Sequence, residues 1–371
     1  DDASTYLNSA YSSIRLDSMQ FSSIPARKFR IRGIKVRIPG AGASSSGTPT
    51  VVTNQAQATA LGLGTVSSFG FIHYPDGYIF NGVMGAATWC SDPAMVLLDL
   101  LTTSRYGFGD HITDSSLDLF SFVNASKFAN TLVDDGAGGQ EARFSCNVNI
   151  QSPKEAFELI NDLAGVMRCM PIWSAGTITI TQDKPTDPSY LFNLSNVTEE
   201  GFNYSGSSLK TRHSVVSVSY FNMDSQEVDF EVVEDATAIS KIGTVVKQVK
   251  AFACTSRGQA RRLGKAILFA EQNESEVVGF STSIDSGIVV RPGAIIEIQD
   301  PVRAGVRRGG RLSAVTSTTV VTVDDTSATD LAVDASGNPV GDAKLAVILP
   351  DGSFESKAIS SVSGGTITVS S

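Results

Sequence analysis

The chain has 371 residues, 42% hydrophobic and 18% charged, with 33 glycines and a formal net charge of −9 from 29 basic and 38 acidic side chains. Such a length implies several domains of roughly 100–200 residues each, and the low charge density with recurrent Gly, Ser, Thr and Val favours strands and turns over helix. The acidic balance argues against a general DNA-binding surface, which needs a basic excess to neutralise phosphates, and there is no run of about 18 apolar residues to cross a membrane as a helix.

The first residues, Asp1-Asp2-Ala3, show neither an initiator Met nor a signal-peptide pattern, which suggests a piece of a longer protein or a processed product. Residues 27–38 alternate apolar and basic side chains, as a half-buried strand does. The phase flips at Gly33, where a bulge is expected to keep Phe29, Ile31, Ile34, Val36 and Ile38 inward. Arg30, Arg32, Lys35 and Arg37 then solvate the outer face, with an acidic partner subunit or DNA as the alternative contact. Residues 39–64 carry few large apolar groups and read as a long loop. Within 69–83, Tyr74-Pro75-Asp76-Gly77-Tyr78 reads as a turn between two strands.

Asp92 is a natural N-cap, Pro93 suits the first helical position, and Ala94, Leu97, Leu98 and Leu101 share a face, so a short buried helix is expected, stopped by Gly107 after Arg105 and Tyr106. A second helix is expected near Leu117 to Leu132, burying Phe120, Val123 and Phe128. A third follows the capping box Ser152-Pro153-Lys154-Glu155, with Ala156, Phe157, Ile160, Leu163, Ala164 and Met167 as its stripe. A hairpin then runs through Trp173 and Thr177–Thr181. Strands are expected at 214–220 and 228–233, and a fourth helix starts at a second capping box, Ser256 with Gln259, burying Ala260, Leu263, Gly264, Ile267 and Leu268. It feeds strands 276–284 and 294–299 around the Arg291-Pro292-Gly293 turn. Beyond Asp300, short alternating runs at 318–323, 344–349 and 366–369 make an all-β module.

Little in this pattern carries chemistry. Cys90, Cys146, Cys169 and Cys254 lack metal or redox spacing and read as buried free thiols. His73, His111 and His213 fall in no ligand motif. Gly258 with Gly264-Lys265 has the wrong spacing for a phosphate loop and sits inside an amphipathic helix. Glu199-Glu200 reads as a solvated turn, and Asp334–Asn338 with Asp342 as a turn rather than a calcium loop. Arg303, Arg307, Arg308 and Arg311 form the densest cation cluster; a solvated loop is the first reading and an assembly contact the second. No catalytic, cofactor or metal residues are assigned.

The string from Trp89 to Asp110 resembles a signature of the central tail-tip proteins of lambda-like siphophages, the large host-specificity proteins closing the distal end of a long non-contractile tail. Similar blocks follow in order: Ser22–Arg27 with Ile31–Val36, Ala142–Ile150 leading to Ile178–Pro185, Pro188–Phe192 before Phe202–His213, and Glu231–Asp235 with Ala253–Gly264. Residues 40–64 and those after 300 match poorly, and upstream and downstream portions of the family's longer chains are missing. The resemblance implies a mainly β fold with α+β inserts: a multidomain tail hub whose β-barrel domains are related to baseplate hubs. Residues 1–88 with 199–233 would form a discontinuous β-barrel hub domain, 89–198 an inserted α+β domain, 234–300 a second hub α+β or barrel domain, and 301–371 a C-terminal β module.

The function implied is that of a structural hub in the virion, at the distal end of the tail, that closes the tail tube and takes part in host attachment and genome delivery. Expected partners are a homotrimer of this chain, distal tail and other tail-tip proteins, and the tape measure protein. Phage DNA would pass only in transit, and a host receptor would be met through regions outside this chain. The residues expected to carry structure and interface are Asp92, Pro93, Leu97, Leu101, Arg105, Tyr106 and Gly107, the loop residues Ser207, Lys210 and Arg212, and Arg257. Two other classes compete. An extracellular adhesin or carbohydrate-binding module needs exposed aromatic platforms, whereas Trp89 and Trp173 read as buried; a cell-wall hydrolase needs a carboxylate or Cys/His site.

Overall fold

A computed structural model describes residues 15–17, 19–20, 23–24, 28–150, 155–174, 176–208, 211–304, 309–324, 339–341, 343–350 and 352–370. The first part of the chain contains β1 (Val36–Pro39), β2 (Thr50–Val52), α1 (Gln55–Ala60), β3 (Phe71–His73), β4 (Met84–Thr88), α2 (Pro93–Thr102) and α3 (Leu119–Ala129). It continues through β5 (Leu132–Asp134), β6 (Gln140–Ala142), α4 (Ala156–Val166), β7 (Cys169–Ser174) and β8 (Thr177–Gln182). Antiparallel pairs β1–β4, β2–β3, β5–β6 and β7–β8 surround α2, which packs on α3, α4 and β1. Ala94, Met95, Leu97, Leu98, Leu100 and Leu101 are all buried, so α2 is apolar around most of its circumference and runs through the middle of the core. Phe122, Leu163, Met167, Ile72 and Val36 close that core from the surrounding elements.

Several expectations need correction here. Only residues from Val36 onward form a strand; Phe29, Ile31 and Ile34 are 63%, 78% and 59% exposed, because the chain before β1 has no neighbouring strand to bury them. Residues 39–64 are not a single loop. Asn54 caps α1 by accepting from the Gln57 N–H at 3.0 Å, and Gln57 Oε1 accepts from the Thr53 N–H, so local polar bonds order a stretch too poor in apolar groups to order itself by burial. Phe120 is 54% exposed, lying edge-on to Phe80, and Phe122 takes its place in the core because α3 begins at Leu119 behind the Asp118 cap. Phe157 and Trp173 are likewise exposed, at 70% and 68%. The Ser152–Lys154 part of the capping box lies outside the described residues.

The middle of the chain comprises β9 (Tyr190–Asn193), β10 (Asn203–Gly206), β11 (Val215–Asn222), β12 (Glu227–Glu234), α5 (Ala236–Ile242), β13 (Val246–Lys250), α6 (Arg257–Asn273), β14 (Glu276–Gly279), α7 (Ile284–Gly287) and β15 (Ile296–Gln299). The central sheet has the order β12-β11-β13, with β12 antiparallel and β13 parallel to β11. Val216, Val218, Tyr220 and Val233 on one face meet Ala260 and Leu268 of α6. Gly264 is required at the closest approach, since a Cβ there would lie 2.8 Å from Val233 Cγ2. Two smaller pairs flank this layer, β9 parallel to β15 and β10 antiparallel to β14. Among the described residues, no strand of β1–β4 pairs with one of β10–β12.

After α8 (Pro301–Ala304), five strands follow: β16 (Leu312–Val315), β17 (Val320–Val323), β18 (Lys344–Ile348), β19 (Phe354–Ser363) and β20 (Thr366–Val369). They form one antiparallel sheet of order β16-β17-β20-β19-β18, in which Ile367 and Val369 are buried. Arg307, Arg308, Asp334–Asn338 and Asp342 lie outside the described residues.

Candidate functional site

The sequence-selected residues fall into two groups. The first is built on the start of α2. Asp92 Oδ1 accepts from the N–H groups of Ala94 (2.7 Å) and Met95 (3.1 Å), which terminates the helix and fixes its direction. Its other oxygen accepts from Ser126 Oγ and Asn130 Nδ2 of α3, while Asn130 Oδ1 accepts from the Ile72 N–H at 2.7 Å and Tyr74 Oη shares a hydrogen with Ser126 Oγ at 2.5 Å. One carboxylate thus ties α2, α3 and β3 together. Burial raises its pKa above the ordinary carboxylate value, although all four donors pull the other way. Pro93, Leu97 and Leu101 continue this group into the core.

The segment after α2 makes a different use of Gly107 from the one expected. The helix already ends at Thr102, and the Phe108 N–H returns to donate to the Leu100 carbonyl at 3.0 Å. A Cβ on Gly107 would lie 2.0 Å from that carbonyl oxygen, so glycine permits the chain to fold back against the helix rather than stopping it. Tyr106 Oη donates to Asp99 Oδ2 at 2.5 Å and holds the same fold-back; burial and that carboxylate push its pKa up to about 12. Arg105 is exposed beside it.

The second group lies around α6. The Ser207 N–H donates to the Ser275 carbonyl, and the Arg212 Nε is buried without a hydrogen-bond acceptor among the described residues. Lys210 lies outside the described residues. Arg257 Nε donates to Glu231 Oε2 at 2.7 Å. Ser256 Oγ caps α6 by accepting from the Gln259 N–H, but only half of the expected capping box forms: the Gln259 side chain turns away, accepts from Ser145 N–H and Oγ, and donates to the Ser145 carbonyl.

Beside it, Arg262 pairs with the buried Glu141 at 2.7 Å and donates to the Ala142 and Arg143 carbonyls, while Ser256 Oγ donates to Glu141. This polar seam joins α6 to the β6 segment of the first core. The sequence reading missed it, because its partners lie more than a hundred positions apart and Gln259 was already accounted for as a cap. A signal was present for Ser126 and Asn130: two polar residues four apart on a helix otherwise burying Phe122, Val123, Ala125 and Ala129.

Neither group resembles a reaction centre. All four cysteines are free and buried, and burial pushes the thiols of Cys90, Cys146 and Cys169 up to about 12 and that of Cys254 to about 11. His213 Nδ1 lies 2.9 Å from Glu271 Oε2, which also accepts from the His213 N–H; Lys247 Nζ holds the other oxygen at 2.7 Å. Burial opposes ionisation of Glu271, yet these partners outweigh it and hold its carboxyl below the usual value. No helix among the described residues is long and apolar enough to cross a membrane, and no cluster of three or more metal-ligating side chains occurs among them.

The comparisons with known proteins define the class first. Residues 155–315 match a family model described as "Putative phage tail protein". Tip attachment protein J of Escherichia phage SECphi27 is 34% identical over 213 residues, covering 57% of this chain and 18% of that protein. The protein of the same name from Escherichia phage SECphi4 is 26% identical over 366 residues, covering 96% of this chain and 28% of that protein. The chain is therefore similar to phage tail-tip proteins, and this similarity places it in the virion at the tail tip. It spans between about a fifth and about a third of the length of these relatives. Two solved structures show a slighter likeness: a tail protein from Neisseria meningitidis MC58 (TM-score 0.31, 14% identity, 44% of this chain and 49% of that one) and a prophage MuSo2 43 kDa tail protein from Shewanella oneidensis (TM-score 0.30, 16% identity, 42% and 46%).

Proposed function

We propose that the chain is part of the central hub of the tail tip, assembling as a homotrimer that closes the tail tube and takes part in host attachment and genome delivery. Distal tail, tape measure and other tail-tip proteins are its neighbours in this reading, and DNA meets it only in transit. The observation that carries the proposal is the similarity, along 96% of the chain, to a protein named for tip attachment. The structure supports it in kind: the buried polar side chains hold helix starts and seams, and the small sheets keep free edges on which barrels can be completed between copies.

Immunogold electron microscopy on phage particles, followed by averaging of the labelled end, tests the reading. It predicts label confined to one end of the tail and three copies around the axis; label along the shaft, or on cells beside bare particles, would sink it. One observation favours a second reading. Trp173 on the β7–β8 hairpin is 68% exposed, the aromatic platform that a carbohydrate-binding module requires. Glycan-array binding that Trp173→Ala abolishes would support that role, and an array without binding would remove it.

A further inference from the structure

We propose that residues 28–32 of one copy add as a strand to the free edge of β12 in a second copy. The inference rests on the self-assembly part of the function proposed above and names the contact that makes it.

The acceptor is an open edge. In the sheet β12-β11-β13 the outer side of β12 has no strand partner among the described residues; the Phe230 N–H donates to Asp229 Oδ1 at 2.8 Å, a bond an added strand would replace. Its two faces differ in chemistry because side chains alternate. On the face turned away from α6, Val228, Phe230 and Val232 are 63%, 64% and 54% exposed, and the register sets Phe221 opposite Val228. On the other face, Asp229 and Glu231 border a hollow of about 460 Å³ lined also by Tyr220, Asn222, Asp224 and Arg257; Arg257 already holds Glu231, which leaves Asp224 and Asp229 as the acids without a cation there. A contiguous exposed apolar face of this kind marks an interaction surface.

The donor is in the same chain. Residues 28–35 are exposed and belong to no helix or strand. Phe29 and Ile31 alternate there with Lys28, Arg30 and Arg32. Placed as a strand on β12, this period-two pattern fits on both sides at once. Any register that sets Phe29 and Ile31 against Val228, Phe230 and Val232 also sets the cations on the face of Asp229, the acid of that face that Arg257 does not already hold.

Charge complementarity selects this segment over a neutral one, and the acidic hollow excludes a polyanion as the occupant. Within its own chain, among the described residues, the segment meets β12 at one end, where Lys28 Nζ donates to the Gln226 carbonyl at 2.6 Å and lies 4.0 Å from Glu227 Oε1, while Arg32 stacks on Trp89 at 4.9 Å. In the proposed contact the segment exchanges that end contact for the β12 edge of a second copy. Because donor and acceptor are different surfaces, the contact is head-to-tail and generates a closed ring when its rotation closes.

Cysteine cross-linking of the full chain tests it, since all four native thiols are buried. Ile31→Cys protein mixed with Phe230→Cys protein under mild oxidation should give a disulfide-linked heterodimer. A chain carrying both changes should give a ladder of linked oligomers. A monomeric internal bridge instead would place the segment on its own β12 and overturn the proposal. Absence of any bridge while light scattering finds oligomers would overturn this contact and leave self-assembly standing. A wild type monomeric at every concentration would remove the trimer as well. Arg30→Glu should weaken association about tenfold, and Asp229→Arg in the same chain should restore it; failure of both effects counts against the charge match.

Discussion

At the scale of single residues, Asp92 is the most heavily committed side chain: one fully buried carboxylate accepts from two backbone and two side-chain donors. Asp92→Ala removes a helix cap and leaves Ser126 and Asn130 facing a void, which should cost about 2–4 kcal/mol in urea-induced unfolding. Glu271 carries a pH dependence of the opposite origin from a buried acid. Its folded pKa lies below the ordinary carboxyl value, so its contribution to stability is present above that value and is lost as pH falls through the depressed one. Unfolding measured between about pH 6 and pH 3 should show wild type losing more stability than Glu271→Gln. Equal losses would mean that Lys247 and His213 do not hold the charge. The histidine was visible in the sequence only as a residue before a strand; its partner lies 58 positions away on α6, and no local pattern announces such a pair.

At the scale of elements, helices were more legible than the strands that flank them. The α2 helix followed from an N-cap, a Pro and an apolar run, all of which act within a few residues of one another. Leu97→Ala should therefore cost about 2–5 kcal/mol, while Phe120→Ala, at a position 54% exposed, should cost well under half as much by the same thermal melt. A comparable loss at both positions would contradict the packing of α3. Strand 27–38 was the instructive failure. Alternation specifies which faces a strand has, but burial needs a neighbour, and residues 28–35 have none beside them in a single chain. The loop at 39–64 failed in the other direction, since Asn54 and Gln57 make order from side-chain bonds that hydrophobic counting does not register. The polar seam at Gln259 and Arg262 was illegible for the same reason as Glu271: its partners are distant in sequence.

At the scale of the whole molecule, stability rests on separate cores joined by few polar contacts, so not all ion pairs have equal weight. Arg262→Ala strands the buried Glu141 and should cost about 3–5 kcal/mol. Arg303→Ala breaks a pair with Glu276 that is half exposed on both sides and should cost less than about 1 kcal/mol. Calorimetry of the two variants checks the contrast, and similar losses would mean that the seam does not couple the cores. The four thiols sit on both sides of that seam, with Cys90, Cys146 and Cys169 in the first core and Cys254 against α6. Each is shielded and protonated while its surroundings stay closed, and each becomes an ordinary nucleophile when they open. The chain thus carries its own clock for local opening. Pulse alkylation read by peptide mass times the two cores independently, without a single introduced label, and reveals which gives way first.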